Sequence, residues 1–365
     1  MDKIKVMHVF HSMDVGGAQT LIMNVYRNMD LNKYEFSFIV SKDGFFDEEI
    51  RQLGGKIYKI PYVTKNGSII YKNRIKRILK EHSDYQIVHS HIDQVSGIVM
   101  QAAKEAGVKG RIAHSHNTKN VNGIFGRLYK SYLESKILPN ATDLCACSDN
   151  AAQWLFKEKA SEAVVINNGI DIEKFKYSDE KRRKIRDELE ISDNTFVIGH
   201  IGVFRKQKNH KFLIEIFNEY LKSNPNSILI LVGDGELKEE IVDMVKELNI
   251  EEKVKFLGVR LDTDYIYSAI DLFLFPSYFE GLSLSLIEAQ IAGLTILTST
   301  GVDMKTDISK NIKFLELDDE PSEWVKLIKK YNRYDCLKEA IENGYDQKEM
   351  IAKVLGVYNK IEKRG

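Results

Sequence analysis

The sequence predicts an α/β protein of two doubly wound, parallel-sheet domains facing each other across a cleft. Three observations lead there. Short β-rich runs alternate with longer segments of helical periodicity, the order of a parallel sheet joined by crossover helices. The alternation breaks at a charged stretch, residues 178–193, and then starts again. The chain, at 365 residues, is also too long for one ordinary core and suits two. The domains read as residues 1–172 and 173–345, with 346–365 as a terminal helix.

The first series of strands falls at residues 5–10, 35–40, 56–60, 86–89, 111–114, 143–147 and 163–166. Apolar residues recur at helical spacing between them, as over residues 19–28 and 96–106. The second series falls at residues 195–202, 227–232, 253–257, 271–275, 294–297 and 312–315. Leu272-Phe273-Leu274-Phe275 is apolar at every position, the pattern of a strand buried on both faces. Residues 178–193 are dominated by charge and read as a surface helix or connection. The terminal helix carries Ile351, Val354, Leu355, Tyr358 and Ile361 on one face. No fixed-period repeat appears, which excludes a solenoid.

Apolar residues make up 43% and charged residues 29% of the chain, the balance of a soluble globular protein. No apolar stretch reaches the roughly 18 residues that a membrane-spanning helix needs. Met1-Asp2-Lys3-Ile4 leads straight into a strand pattern, so a secretory signal is not expected and the cytoplasm is the expected location. Three cysteines cannot pair evenly, and Cys145 and Cys147 sit in an apolar run, which suits free thiols in a reducing compartment. Net charge is zero, but residues 1–172 carry 23 basic against 18 acidic side chains. The first half therefore suits an anionic partner better than the second.

The chemistry gathers in loops that follow strands, where open parallel sheets bind ligands. Pro276 and Ser277 end the strand 271–275, and Gly281 lets the chain turn before Leu284, Ile287 and Ile291 open a helix. Glu280 then lies in a strand-to-helix loop and Glu288 about two turns into the helix. Carboxylates so placed can hold two hydroxyl-rich parts of one ligand, and Gly281, Leu282 and Ser283 are less polar than a solvated loop would be. Gly16-Gly17 opens the first helix, where backbone N–H groups can approach a phosphate. It is not the dinucleotide G-x-G-x-x-G fingerprint. Lys206-Gln207-Lys208-Asn209-His210 follows a strand, and an ammonium there can neutralise a departing diphosphate.

His89-Ser90-His91 and His114-Ser115-His116 follow two first-half strands. Histidines two apart along one strand suit a tetrahedral ion poorly, so no metal site is expected and polar histidines at strand ends are the plain reading. Residues 119–136 mix bases with aromatics, among them Lys119, Phe125, Arg127, Tyr129, Lys130, Tyr132 and Lys136. The patch is too short and too weakly charged for nucleic acid. It reads as an amphipathic helix, with an anionic membrane or a lipid diphosphate as its functional partner.

Taken in order, these motifs resemble family-four retaining glycosyltransferases of the GT-B fold. Glu280 and Glu288 match the Glu-x7-Glu motif. Gly16-Gly17-Ala18-Gln19 is similar to a Gly-Gly-Ala-Glu element with Gln19 in place of the acid. Gly202 to His210 is similar to Gly-Arg-Phe-x-x-Gln-Lys-Asn-His. Asn168-Gly169-Ile170-Asp171, Gly233-Asp234-Gly235-Glu236-Leu237 and Phe256-Leu257-Gly258-Val259 complete the likeness, which runs from Ser12 to about Thr298.

The resemblance implies two Rossmann-like domains, with the terminal helix crossing back to the first. It implies a nucleotide-sugar donor, taken as a UDP-sugar, on the second domain. Glu288 would hold the ribose; Glu280 and the Gly281, Leu282 and Ser283 backbone the sugar; Lys208 and Arg205 the diphosphate; and Gly258 and Val259 the base. Gly16 and Gly17 would lie beside the phosphate and transferred sugar. His116 matches the active-site histidine, with His114 in its place if the register slips, and His89 and His91 would line the acceptor side. No cofactor or metal is implied. The acceptor would be a glycan or lipid-diphosphate-linked oligosaccharide, as in bacterial capsule, exopolysaccharide or O-antigen synthesis. Two departures stand out: Val203 occupies the family's arginine position, with Arg205 two residues on as its replacement, and Thr295 stands where proline is usual. A UDP-sugar epimerase of similar architecture, or a catalytically decayed nucleotide-sugar-binding protein, are the alternative readings.

Overall fold

The computed structural model describes residues 3–117 and 124–364. The chain divides into two compact units, Met1–Gly169 with Gln347–Gly365, and Ile170–Asp346.

The first unit holds β1 (Ile4–Val9), β2 (Tyr34–Val40), β3 (Lys56–Lys59), β4 (Ile87–Ser90), β5 (Gly110–Ser115), β6 (Asp143–Ala146) and β7 (Val164–Val165). They form one sheet in the order β3-β2-β1-β4-β5-β6-β7, every neighbouring pair parallel. The second unit holds β8 (Phe196–Ile201), β9 (Ser227–Val232), β10 (Val254–Phe256), β11 (Leu272–Phe275), β12 (Ile296–Ser299) and β13 (Ile312–Leu315). Their order is β10-β9-β8-β11-β12-β13, again all parallel. Every strand expected from the sequence is present, within about two residues at its ends.

The order of strands reverses once in each sheet, between β1 and β4 and between β8 and β11. Loops leaving two such neighbours at their C-terminal ends run to opposite faces of the sheet and leave a crevice between them. This topology decides where Gly16, His91, Lys208 and Glu280 end up.

Each sheet is packed on both faces. In β11 all four side chains are fully buried, Phe273 and Phe275 in one hydrophobic cluster and Leu272 and Leu274 in the other. The two-residue period of a strand sends them alternately to the two faces. Burying each such side chain contributes about 1.5–3 kcal/mol over leaving it exposed.

The stretch expected as a surface helix or connection is a helix, Asp179–Glu188, but it is not confined to the surface. Ile185 and Arg186 are buried, and Arg186 Nη2 donates to Asp271 Oδ2 at 2.8 Å while its Nε donates to the Ala269 carbonyl at 3.1 Å. Arg182 donates to the other oxygen of Asp271 at 2.8 Å. A buried guanidinium is tolerated because its donors find acceptors in this way. The terminal helix, Gln347–Glu362, belongs to the first unit, with Met350, Val354, Val357, Tyr358 and Ile361 in the core beside β1 and β2. Tyr34 Oη donates to Asn359 Oδ1 at 2.6 Å and ties that helix to the start of β2. Among the described residues, no helix is long and apolar enough to cross a membrane.

Candidate active site

Lys208 and Glu280 meet at the second reversal point. The loop after β8 carries Lys208, the loop after β11 carries Glu280, and Lys208 Nζ lies 2.8 Å from Glu280 Oε1. Both side chains are almost wholly buried, at 8% and 11% exposure, so the pair is shielded from solvent screening. Burial lowers the pKa of the Lys208 ammonium, and Glu280 opposes that shift. Gln207 Nε2 donates to Glu280 Oε1 and to the Phe279 carbonyl, each at 2.9 Å. The Tyr278 N–H donates to the Gln207 carbonyl at 2.9 Å, which joins the two loops through the backbone. On its other side the Glu280 N–H donates to the Gly301 carbonyl at 3.1 Å, and its carbonyl accepts from Asp303 at 3.0 Å. Glu280 is thus held by three loops. Arg205 is exposed, and its charge bears on Lys208. Val203, at the position where the family resemblance places arginine, is an exposed side chain.

Gly281, Leu282 and Ser283 lead into the helix Leu284–Ile291, whose N-cap Ser283 makes no capping hydrogen bond and whose first turn holds no acid. An N-terminus left open in this way has donors and a positive dipole end available for a phosphate. Glu288 lies further along this helix and is half-buried. Tyr267 Oη sits 3.1 Å from Glu288 Oε2 and 3.0 Å from the Ser285 carbonyl. Burial raises the Glu288 carboxyl to about 7; the Tyr267 hydrogen bond and Lys174 oppose the shift and Asp264 adds to it. The two glutamates have separate partners.

Gly233-Asp234-Gly235 packs on the loop that carries Lys208. The Phe204 N–H donates to the Asp234 carbonyl at 3.0 Å, and Gly233 has φ of 136° with a Cβ there landing 2.1 Å from the Gly202 carbonyl. No residue but glycine fits that approach. Its N–H donates to the Gly258 carbonyl at 2.8 Å, which places Gly258 and the exposed Val259 next to the same loops.

In the first unit, Gly16 and Gly17 open the helix Gly17–Asn28, which also has no capping side chain and no acid in its first turn. Gln19 Nε2 donates to the Ser12 carbonyl at 3.1 Å and pins the loop. A Cβ on Gly17 would lie 2.9 Å from Asn168 Nδ2, so the glycine brings that loop against the Asn167-Asn168-Gly169 turn.

The histidines read as separate pairs along their strands form one cluster across them. His8 on β1 is the register partner of His89 on β4, and β5 brings His114 alongside. His8 Nδ1 lies 3.2 Å from His91 Nε2, His91 Nδ1 lies 3.0 Å from His116 Nε2, and His89 Nε2 lies 3.1 Å from His114 Nδ1. His89 Nδ1 reaches Tyr358 Oη of the terminal helix at 2.8 Å. Burial lowers the pKa of all five rings. Among the described residues, the groups with metal-ligand spacing are His8, His89 and His91, and His91, His114 and His116. In each group the ligand atoms lie within 4.8 Å of one another, and one pair in each, His8–His91 and His91–His116, is at hydrogen-bond distance. His116 is half-buried, and its backbone N–H donates to Asp93 Oδ1 at 2.9 Å while Asn117 Nδ2 donates to Oδ2 at 2.6 Å.

Residues 118–123, the start of the basic-aromatic patch with Lys119, lie outside the described residues, as do the side chains of Phe125 and Arg127. Tyr129 and Tyr132 are exposed, and Lys136 Nζ lies 5.0 Å from the Tyr132 ring centroid. Near Tyr129 a shallow groove is lined by Val63, Gly67, Ile69 and Ile70.

Four contributors carry no signal in the sequence. Tyr267, Gly301, Asp93 and His8 lie 21, 21, 23 and 83 residues from the groups they touch. No local spacing links them; only strand order does.

Two doubly wound units, a buried lysine–carboxylate pair and open helix N-termini at the reversal points are features that suit an anionic ligand. The model of the family described as Glycosyl transferases group 1 matches residues 181–346, and that described as Glycosyltransferase Family 4 matches residues 15–174. The chain belongs to the GT-B glycosyltransferases. It is 32% identical to the putative glycosyltransferase EpsF of Bacillus subtilis, over 97% of this chain and 96% of that protein. It is 26% identical to the UDP-Gal:alpha-D-GlcNAc-diphosphoundecaprenol alpha-1,3-galactosyltransferase of Escherichia coli, over 81% of this chain and 79% of that one. Among solved structures it is similar to Anabaena Alr3699/HepE in complex with UDP, with a TM-score of 0.71 at 19% identity over 99% of both chains.

Proposed function

We propose that this protein is a retaining, metal-independent glycosyltransferase that moves a sugar from a UDP-sugar to a glycan or lipid-diphosphate-linked oligosaccharide in surface polysaccharide synthesis. The observation that carries this reading is the buried Lys208–Glu280 pair beside an open helix N-terminus at the strand-order reversal. Lys208, with Arg205, steadies the leaving diphosphate, and Glu280 with the Gly281–Ser283 backbone orients the sugar. Glu288 holds the ribose, Gly258 and Val259 the base, and His116 with Gly16 and Gly17 serve the transferred sugar. His89, His91 and His114 are assigned to the acceptor side. Fixed cationic groups and helix dipoles supply the charge stabilisation that a divalent ion supplies elsewhere. The choice of UDP is supported by the UDP-bound HepE structure and by the UDP-Gal named for the Escherichia coli relative, whose name gives alpha-D-GlcNAc-diphosphoundecaprenol as acceptor.

The test is a transfer assay in EDTA with UDP-sugars and a diphospholipid-linked glycan, read by NMR. The expected product keeps the donor's anomeric configuration, at a rate that chelator does not change. An epimerised nucleotide sugar formed without acceptor would establish the epimerase reading, and UDP binding without turnover the decayed one. Loss of activity in EDTA that a divalent ion restores would remove metal independence.

The acceptor side is proposed to touch an anionic membrane from the cytoplasm through the exposed Ile69, Ile70, Tyr129 and Tyr132. Flotation with anionic vesicles is expected to carry the protein up, and less so after Ile69→Ser/Ile70→Ser; equal recovery without lipid would reject the contact.

A further inference from the structure

One string of hydrogen-bonded imidazoles ends at His116. His8 bonds His91, and His91 bonds His116. His8 is fully buried against Phe36 and Phe38, and its second nitrogen, Nε2, has no partner. Burial holds all three rings neutral, with His8 and His116 lowered to about 3, so each carries one N–H.

Two proton arrangements satisfy both contacts, because His91 has one N–H and must accept at its other nitrogen. In the inward arrangement His116 donates to His91 and His91 to His8, which leaves a proton on the buried, unpartnered His8 Nε2. In the outward arrangement His8 donates from Nδ1 and His91 donates from its own Nδ1 to His116 Nε2. Only a bare lone pair is then unpartnered. A buried orphan N–H is the rarer and costlier outcome, which favours the outward arrangement.

We propose that His8 and His91 are positioning residues that hold His116 in its Nδ1–H tautomer, so that His116 offers a hydrogen-bond donor at Nδ1 to an oxygen of the carbohydrate substrate. The substrate half of this inference rests on the assignment of His116 to the transferred sugar; the tautomer does not. Second nitrogens of functional imidazoles are commonly fixed by such partners.

Long-range proton–nitrogen NMR of the full chain labelled with 15N-histidine reads the tautomer directly, with His116→Gln assigning the signals. The expected result is a protonated Nδ1 and a bare Nε2 at His116. His91→Phe is expected to return His116 to a tautomer mixture and to lower transfer about tenfold to a hundredfold, with UDP affinity unchanged. His91→Asn, whose amide nitrogen takes roughly the place of Nδ1, restores the Nδ1–H signal and part of the rate. A protonated Nε2 at His116 in the unmodified protein, or an unchanged tautomer in His91→Phe, overturns the proposal. So does stoichiometric zinc that shifts all three rings together. Failure of the donor-site reading shows elsewhere, as unchanged UDP affinity in Glu288→Ala.

Discussion

Replacing Lys208 with methionine is expected to lower the turnover of sugar transfer by about a hundred- to a thousandfold. The leaving diphosphate gains negative charge as the glycosidic bond opens, and a preorganised ammonium in a shielded site stabilises that charge far better than water does. Lys208 is suited to this because it is buried, and Glu280 at 2.8 Å favours its charged form against the pull of burial. The exposed Arg205 is a weaker substitute. Removing the lysine also strands Glu280, at a cost to stability of about 3 kcal/mol or more. In the double variant Lys208→Met/Glu280→Gln the stranded charge is gone and the melting temperature should recover, while Glu280→Gln alone gives the part of the rate loss that belongs to Glu280. Initial rates at saturating donor, with a thermal melt beside each, are the measurement. A Lys208→Met enzyme within about threefold of the unmodified rate would remove Lys208 from the reaction.

Glu288→Ala is expected to weaken UDP binding about 10- to 150-fold, the worth of one charge-assisted hydrogen bond of about 1.5–3 kcal/mol. The pH dependence sharpens the test. Glu288 is raised from 4.5 to about 7 by burial, whereas the ribose hydroxyls proposed for this site would donate to the carboxylate and so select its ionised form. UDP binding should therefore release a proton, and affinity should fall as pH drops below about 7, by up to tenfold per unit. Glu288→Gln should lose this component, which the difference between the two titrations isolates from the phosphate's own ionisation. The linkage also has a stability side. The unfolded chain ionises first, so this group's contribution to ligand-free stability is full below 4.5 and is lost as pH rises to about 7. Calorimetry across pH 5.5 to 8 is the measurement, and parallel curves for both proteins would contradict the assignment.

The strands were legible because parallel strands buried on both faces are runs such as Leu272-Phe273-Leu274-Phe275, which no surface element tolerates. Loop motifs were legible because the strand before each of them was. Contacts between elements distant in the chain were not. His89 and His91 were visible as a pair, but nothing in the sequence said that β1 would lie beside β4 and add His8. Arg186 read as surface charge because its acceptor, Asp271, lies 85 residues away. Tyr267 belongs to no motif in the sequence, and only the fold brings its hydroxyl to Glu288. Val203 read as a possible loss of function; the structure leaves it exposed and brings the charge of Arg205 to bear on Lys208.

A crystal structure of this protein with UDP tests the donor site most directly. Ribose hydroxyls are expected on the Glu288 carboxylate, and the β-phosphate between Lys208 Nζ and the N-terminus of the helix Leu284–Ile291. UDP bound elsewhere, with Lys208, Glu280 and Glu288 keeping only their present partners, would contradict that placement.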